Sequence, residues 1–396
     1  MKYTLMNKEL PVLSFETKKT ETGRLIIQNE SIVNAELLPT TYKGDIKAYI
    51  NRRKAPRHRE HIAKLLIQLD AENLDGYIAV CNAASLTDTF WVNNEENPST
   101  WDDVSLYRNE FDENIAKIAI DGGNATASTT SPELSVNGQY AKCWVREDKD
   151  LYLLKRGSRH YRGREVHAEY YSSQIIEKLC PNAVHYDVVM HHNKPASKCH
   201  IFTSEEFGFL PIVDFYHSGF STEAIDFLKE FKKYDDGMNY RRMVVADALI
   251  LNVDRHLGNF GYLIDNDTLK PLQMAPVFDY NRSMLFHLSP KQFREQNMEE
   301  LFARPFTDGT FIDNARDMLT DEIIADLKKL HGFQFKKSGI SDWADSRLQK
   351  YEQFIDTQID QILGRTKVII HDAPSIKRTA PRTVSCKKSN SPELEK

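Results

Sequence analysis

Asp254, Arg255, His256 and Asn259 crowd one short segment, residues 252–263 (NVDRHLGNFGYL), and Asp279 follows in a second, residues 275–281 (APVFDYN). Mg2+ takes oxygen ligands and keeps several waters, so one carboxylate and one amide oxygen suffice when a substrate's phosphates supply the rest. Asn259 and Asp279 could form that pair. Asp254, five residues before Asn259, could accept the proton of an attacking hydroxyl. A base, a short spacer, an Asn and then a metal-binding Asp is the order that phosphoryl transfer to a hydroxyl calls for. Singly, each of these residues could equally serve an Asx turn; their joint spacing is what points to chemistry.

Such a site also needs a cation on the phosphates. Lys155, in LYLLKRGS, ends an apolar strand-like run where an unpaired ammonium would be out of place. Its natural partner is Glu169, on the helical stretch 166–179. A Lys–Glu pair between strand and helix holds the ammonium toward a nucleotide's α- and β-phosphates. The turn 134–142 (LSVNGQYAK) precedes that strand, and its Asn137 and Gly138 could bring backbone N–H groups near a phosphate. It contains neither GxGxxG nor GxxxxGK[ST].

The elements that must position these groups follow from periodicity and breakers. Residues 3–15 alternate as strands do, and 59–70 (REHIAKLLIQLD) put Ile62, Leu65, Leu66 and Leu69 on one helical face. Residues 106–118 fit helix or loop. The run 121–131 (DGGNATASTTS) has no large apolar side chain, which reads as a flexible linker. Beyond it, 140–145 and 151–154 predict a hairpin, and 184–190, 199–203 and 209–215 predict further strands. From Ser221 the pattern is helical: 221–233 with a Ser-Thr-Glu cap-like start, 238–251, and 340–363. The resulting organisation is an N-terminal α+β domain over 1–120, a linker over 121–133, a β-rich lobe over 134–216, a helical lobe over 217–371 and a disordered tail over 372–396.

Composition narrows the classes. Among 396 residues, 41% are hydrophobic, and 52 Lys and Arg against 57 Asp and Glu give a net charge of −5, so general nucleic-acid binding is not expected. No apolar run approaches the ~20 residues that cross a bilayer, and the start MKYTLMNKELPVLSF lacks the apolar core of a signal peptide. Five scattered cysteines without a CxxC pair argue for a reducing compartment, so a cytoplasmic protein without membrane contact is expected. His191, His192 and His200 have no further ligand at metal-site spacing and read as surface histidines. The basic run KRGSRHYRGR reads as a loop rather than a nucleic-acid contact.

NVDRHLGNFGYL with APVFDYN resembles the catalytic and metal-binding segments of the HipA-like serine/threonine kinases, toxin-type kinases whose fold is related to protein kinases and phosphoinositide kinases. The resemblance spans residues 134–285. It implies an α+β, two-lobed protein-kinase-like fold with a small β-rich lobe, a helical lobe and an additional N-terminal domain. It also implies ATP and Mg2+ as cofactors, Asp254 as catalytic base, Asn259 and Asp279 on Mg2+, and Lys155 on the phosphates with Glu169 as its partner. By the same resemblance His256 supports the catalytic loop, Phe202 and Thr203 (in SKCHIFTSE) lie in an adenine-holding hinge, and Ser135 is the candidate for autophosphorylation. The loop SVNGQYAK departs from the family's S-x-x-Q-P-K form, and residues 1–120 match no family motif. The implied activity is γ-phosphoryl transfer to Ser or Thr of a protein, with an antitoxin carrying a DNA-binding domain as a partner. A lipid or small-molecule kinase, or a regulatory protein without catalysis, are the competing readings.

Overall fold

A computed structural model describes residues 1–21, 25–124, 131–136, 138–215, 223–234, 236–298, 301 and 303–364. Among these residues the chain is a mixed α and β structure with three antiparallel sheets. No helix among them is long and apolar enough to cross a membrane.

The first sheet runs Leu25–Ile32, Leu10–Lys19, Lys2–Asn7, Phe90–Asn94. Alternation puts Tyr3, Leu5, Leu13 and Phe15 inward, against Ile50, Leu65, Tyr77 and Ile118 of four helices, Ile46–Arg53, Ile62–Gln68, Leu74–Cys81 and Glu113–Asp121. The stretch 106–118 thus resolves into helix only from Glu113, where Asp112 caps it by accepting the Asn114 and Ile115 N–H groups. The helix expected from Arg59 begins at Ile62, because Arg59 is buried and turned toward residues 133–136.

The span read as a flexible linker, 121–133, is structured at both ends, and residues 125–130 lie outside the described residues. Asp121 closes a helix and pairs with Arg156 and His192, and Pro132–Leu134 form a buried single turn with Leu134 in the first core. One large apolar side chain suffices to dock that end. The expected tail over 372–396 lies outside the described residues.

The second sheet runs Lys142–Glu147, Asp150–Lys155, Lys194–His200, Tyr186–His191, with helix Arg164–Leu179 against it. The strand placed at 199–203 begins earlier, at Lys194, because His192 and Asn193 both adopt positive φ and make a tight hairpin turn. The third sheet runs Pro271–Met274, Gly261–Asp265, Phe207–Pro211. The strand expected over 209–215 stops at Pro211, and Ile212–Phe215 turns into a short helix.

Helices Ala224–Phe231, Met238–Ile250, Phe311–Asp317, Asp321–Lys329 and Asp345–Ile362 close around Tyr240, Met243, Leu249, Tyr351, Ile355 and Ile359. The cap-like Ser221 and Thr222 lie outside the described residues. The last helix starts at Asp345 rather than Ile340, since residues 338–342 close a loop in which Asp342 accepts from Ser338, Gly339 and the Tyr171 hydroxyl.

Candidate active site

The site starts from strand register. Lys142 stands opposite Lys155, and Lys155 opposite Ser197, so two ammonium groups and a hydroxyl share one face of the second sheet. Adjacent buried like charges are unfavourable unless acids neutralise them. Glu169, from Arg164–Leu179, accepts from Lys155 Nζ through Oε1, while its Oε2 accepts from Ser197 Oγ at 2.6 Å. Asp279 Oδ1 accepts from the same Nζ at 3.0 Å. Lys155 therefore sits between two carboxylates and, 5.0 Å off, over the Tyr186 ring. Burial pulls the Lys155 ammonium down, but Asp279 and Glu169 outweigh it and hold the group charged. Burial likewise pushes the Asp279 carboxyl up, and Lys155 and Lys142 overcome this to keep it below its ordinary value. Lys142 has less compensation: burial, with repulsion from Lys155, lowers it to about 8.

The third sheet brings the other acids to the same place. Helix Met238–Ile250 ends where Leu251 adopts a left-handed conformation, which throws residues 252–260 into a loop before strand Gly261–Asp265. Within that loop Asp254 N donates to Asn252 Oδ1 at 3.1 Å, and Asn259 Nδ2 donates to the Asp254 carbonyl at 2.9 Å. Beneath lies a buried ion pair, Arg255 with Asp247, at 2.9 Å. Arg255 Nη1 also donates to the carbonyls of Asn259 and Phe278, so one guanidinium fixes the backbone beside both Asn259 and Asp279. The Asp254 carboxylate faces Arg282, Nη1 to Oδ1 3.2 Å. Burial raises this carboxyl, against the pull of Arg282 and His256.

Lys142, Lys155, Asp254, Asn259, Asp279 and Arg282 line one cleft of about 800 Å³. Glu169 lies behind Lys155, buried. Gly138 is on the cleft wall with φ +106, and a side chain there would strike the Lys142 ammonium, so the backbone at Gly138 packs directly on that lysine. Asn137 lies outside the described residues. Phe202 lines the cleft and packs on Phe278 and Phe209, at 5.2 and 5.5 Å between ring centres. Thr203 lines it as well, but its hydroxyl is committed to the Leu86 carbonyl. His256 is exposed at the mouth, and its Nδ1 accepts from Gly258 N at 3.1 Å, tightening the loop. Ser135 is buried on the cleft wall with its hydroxyl donated to the Pro132 carbonyl at 3.2 Å.

The donor set suits a hard cation. The Asn259 amide nitrogen is engaged with Asp254, which leaves its oxygen for a ligand, and Asp279 has a second oxygen beyond the one on Lys155.

Sequence reasoning did not single out Lys142, Arg282 or the Arg255–Asp247 bracket. Lys142 becomes visible only through register, and Asp247 only through its place on the helix facing Arg255. Arg282, three residues after Asp279, was the accessible signal. Nor did the sequence reveal that residues 85–88 of the first domain form part of the cleft wall, where the Thr87 carbonyl accepts from Phe209 N at 2.7 Å.

No protein-family model matches the sequence, and no curated protein matches it. Solved structures do. The proinflammatory kinase CtkA of Helicobacter pylori is similar over 58% of this chain and 88% of its own, at 18% identity and a TM-score of 0.40. HipA of Shewanella oneidensis, from a toxin–antitoxin complex of HipA, HipB and operator DNA, is similar over 91% of this chain and 97% of its own, at 12% identity and a TM-score of 0.51. From the first sheet to the last helices, the chain has a HipA-like fold.

Proposed function

We propose that the chain is an ATP- and Mg2+-dependent kinase that transfers the γ-phosphoryl group to Ser or Thr of a protein. The observation that carries this reading is Lys155 held between Glu169 and Asp279, with Asp254 and Asn259 on the same cleft. In this reading the second sheet and helix Arg164–Leu179 make a small lobe, the helices after residue 217 a larger one, and the nucleotide lies between them.

The chain's own residues divide the work. Lys155, oriented by Glu169, holds the α- and β-phosphates, and Asp254 receives the proton of the acceptor hydroxyl. Asn259 and Asp279 would hold Mg2+, which on binding neutralises charge on the phosphates. Phe202 and Phe278 offer an apolar face to the base. Positioning and charge neutralisation are then the main sources of rate.

The HipA neighbour is described with HipB and operator DNA. By extension we propose a DNA-binding antitoxin as a partner of this chain. The test of the activity is incubation of the full chain with ATP and Mg2+ in a cell lysate, followed by phosphopeptide mass spectrometry. New Ser or Thr phosphorylation that disappears with Asp254→Asn supports the reading. Label entering lipid, or none entering anything, overturns it.

A further inference from the structure

Arg59 belongs to the first domain, far in sequence from Lys155 and Asp279, and it is 2% exposed. Burying a guanidinium is costly unless its donors are satisfied, so its partners show what it is for. Nη1 donates to the Val136 carbonyl at 3.0 Å and Nη2 to the Glu133 carbonyl. Two neighbouring backbone bonds reinforce the joint: Ala55 N to the Leu134 carbonyl at 2.7 Å, and Glu60 N to the Gln139 carbonyl at 3.1 Å. Four carbonyls of the stretch 133–139 are thus held by residues 55–60. That stretch carries Ser135 and Gly138 on the cleft wall and abuts Lys142. Pro56 and His58 themselves reach the cleft.

We propose that Arg59 is a positioning residue for nucleotide binding: the first domain, through Arg59, holds residues 133–136 and 138–139 in place over the phosphates. The inference rests on the kinase reading. It means that the first domain is a working part of the nucleotide site, so anything that shifts residues 55–60 shifts ATP affinity, and ATP in turn shifts those residues.

Two measurements on the full chain test it. In the first, Arg59→Lys keeps a charge but has no planar fork to span two carbonyls. We expect the KM for ATP to rise about tenfold, the effect of losing one hydrogen bond from a charged donor, with kcat within about threefold and the KM for the protein acceptor unchanged. In the second, wild-type chain alone is used, so a variant that fails to fold does not matter: saturating ATP and Mg2+ should slow hydrogen exchange at the Ala55 and Glu60 amides. An unchanged ATP KM in Arg59→Lys, or unchanged exchange at both amides while ATP binds, overturns the proposal and leaves the kinase reading intact. Absence of any ATP binding by the wild type removes the kinase reading, and the proposal with it.

Discussion

Lys155 and Asp279 are separated by 124 residues in sequence and by 3.0 Å in space. The contact joins the second sheet to the turn that follows the third. Asp279 holds this position with φ +62, a left-handed conformation that Asp tolerates better than most residues. Its N–H donates to the Tyr186 hydroxyl at 3.1 Å, so the strained turn is pinned to the second sheet by backbone as well as side chain.

Lys155→Met is expected to destabilise the chain by about 3–5 kcal/mol, because it leaves the buried Glu169 carboxylate, and with it the partly buried Asp279, without their shared cation. Thermal unfolding checks this. The double variant Lys155→Met, Glu169→Gln should recover part of the loss, since one of the two stranded charges is gone. A double variant less stable than the single one would mean that the pair does not couple.

Asp254→Asn should leave stability nearly unchanged, since its ion pair with Arg282 is partly solvent-exposed and worth about 0–1 kcal/mol. Phosphoryl transfer should fall by roughly 10²–10⁴, the usual contribution of a general base. Both are read on the same preparation, from a melting curve and a labelled-phosphate assay. Full transfer by the variant would remove Asp254 from the base role.

Asp279→Asn addresses the metal. ATP binding by the wild type should tighten with added Mg2+, and in the variant titration calorimetry should give the same weak affinity with Mg2+ or with a chelator. A variant that still gains affinity from Mg2+ would place the cation on other ligands.

Much of this site was legible before the fold. The polar segments 252–263 and 275–281 announce themselves because they interrupt apolar stretches with Asp and Asn at fixed spacing, and Lys155 because it ends an apolar strand. What stayed hidden depends on long-range packing. Lys142 is an ordinary lysine until register sets it beside Lys155. Thr203, read as a hinge residue, spends its hydroxyl on Leu86 of a domain that carries no motif. Arg59 read as the start of a helix, because periodicity reports a helical face and says nothing of a side chain that leaves it. Local pattern fixes which residues are chemical, and only the tertiary contacts fix what holds them.

Glu205 tests how firmly the first domain is joined to the segment after Thr203. Its Oε1 accepts from Trp101 Nε1 and Ser105 Oγ, both at 2.9 Å, and its Oε2 from Arg108 at 3.0 and 2.8 Å. Glu205→Ala should cost about 1–3 kcal/mol by leaving the buried Trp101 N–H and Ser105 hydroxyl without an acceptor. Glu205→Gln keeps the acceptor oxygen and should cost less. Equal melting temperatures for wild type and Glu205→Ala would show that the joint carries no stability.

Glu133 supplies a pH dependence with a definite sign. It is fully buried, its Oε1 accepts from Trp144 N at 2.7 Å, and its Oε2 has no hydrogen-bond partner among the described residues. Burial pushes its carboxyl from 4.5 up to about 7, although Arg59, the Trp144 amide and Lys142 all pull the other way. A carboxyl raised in the folded state binds its proton there more tightly than in the unfolded chain. Its contribution to stability is therefore present below pH 4.5 and is lost as pH climbs through about 7. Glu133→Gln keeps the shape and an acceptor for Trp144 but cannot ionise. The variant should match the wild type near pH 4.5 and exceed it at pH 8 by up to about 3 kcal/mol, the free energy of a shift of this size. Denaturant unfolding at the two pH values measures the difference, and a gap that does not widen between them would mean that burial does not govern this group.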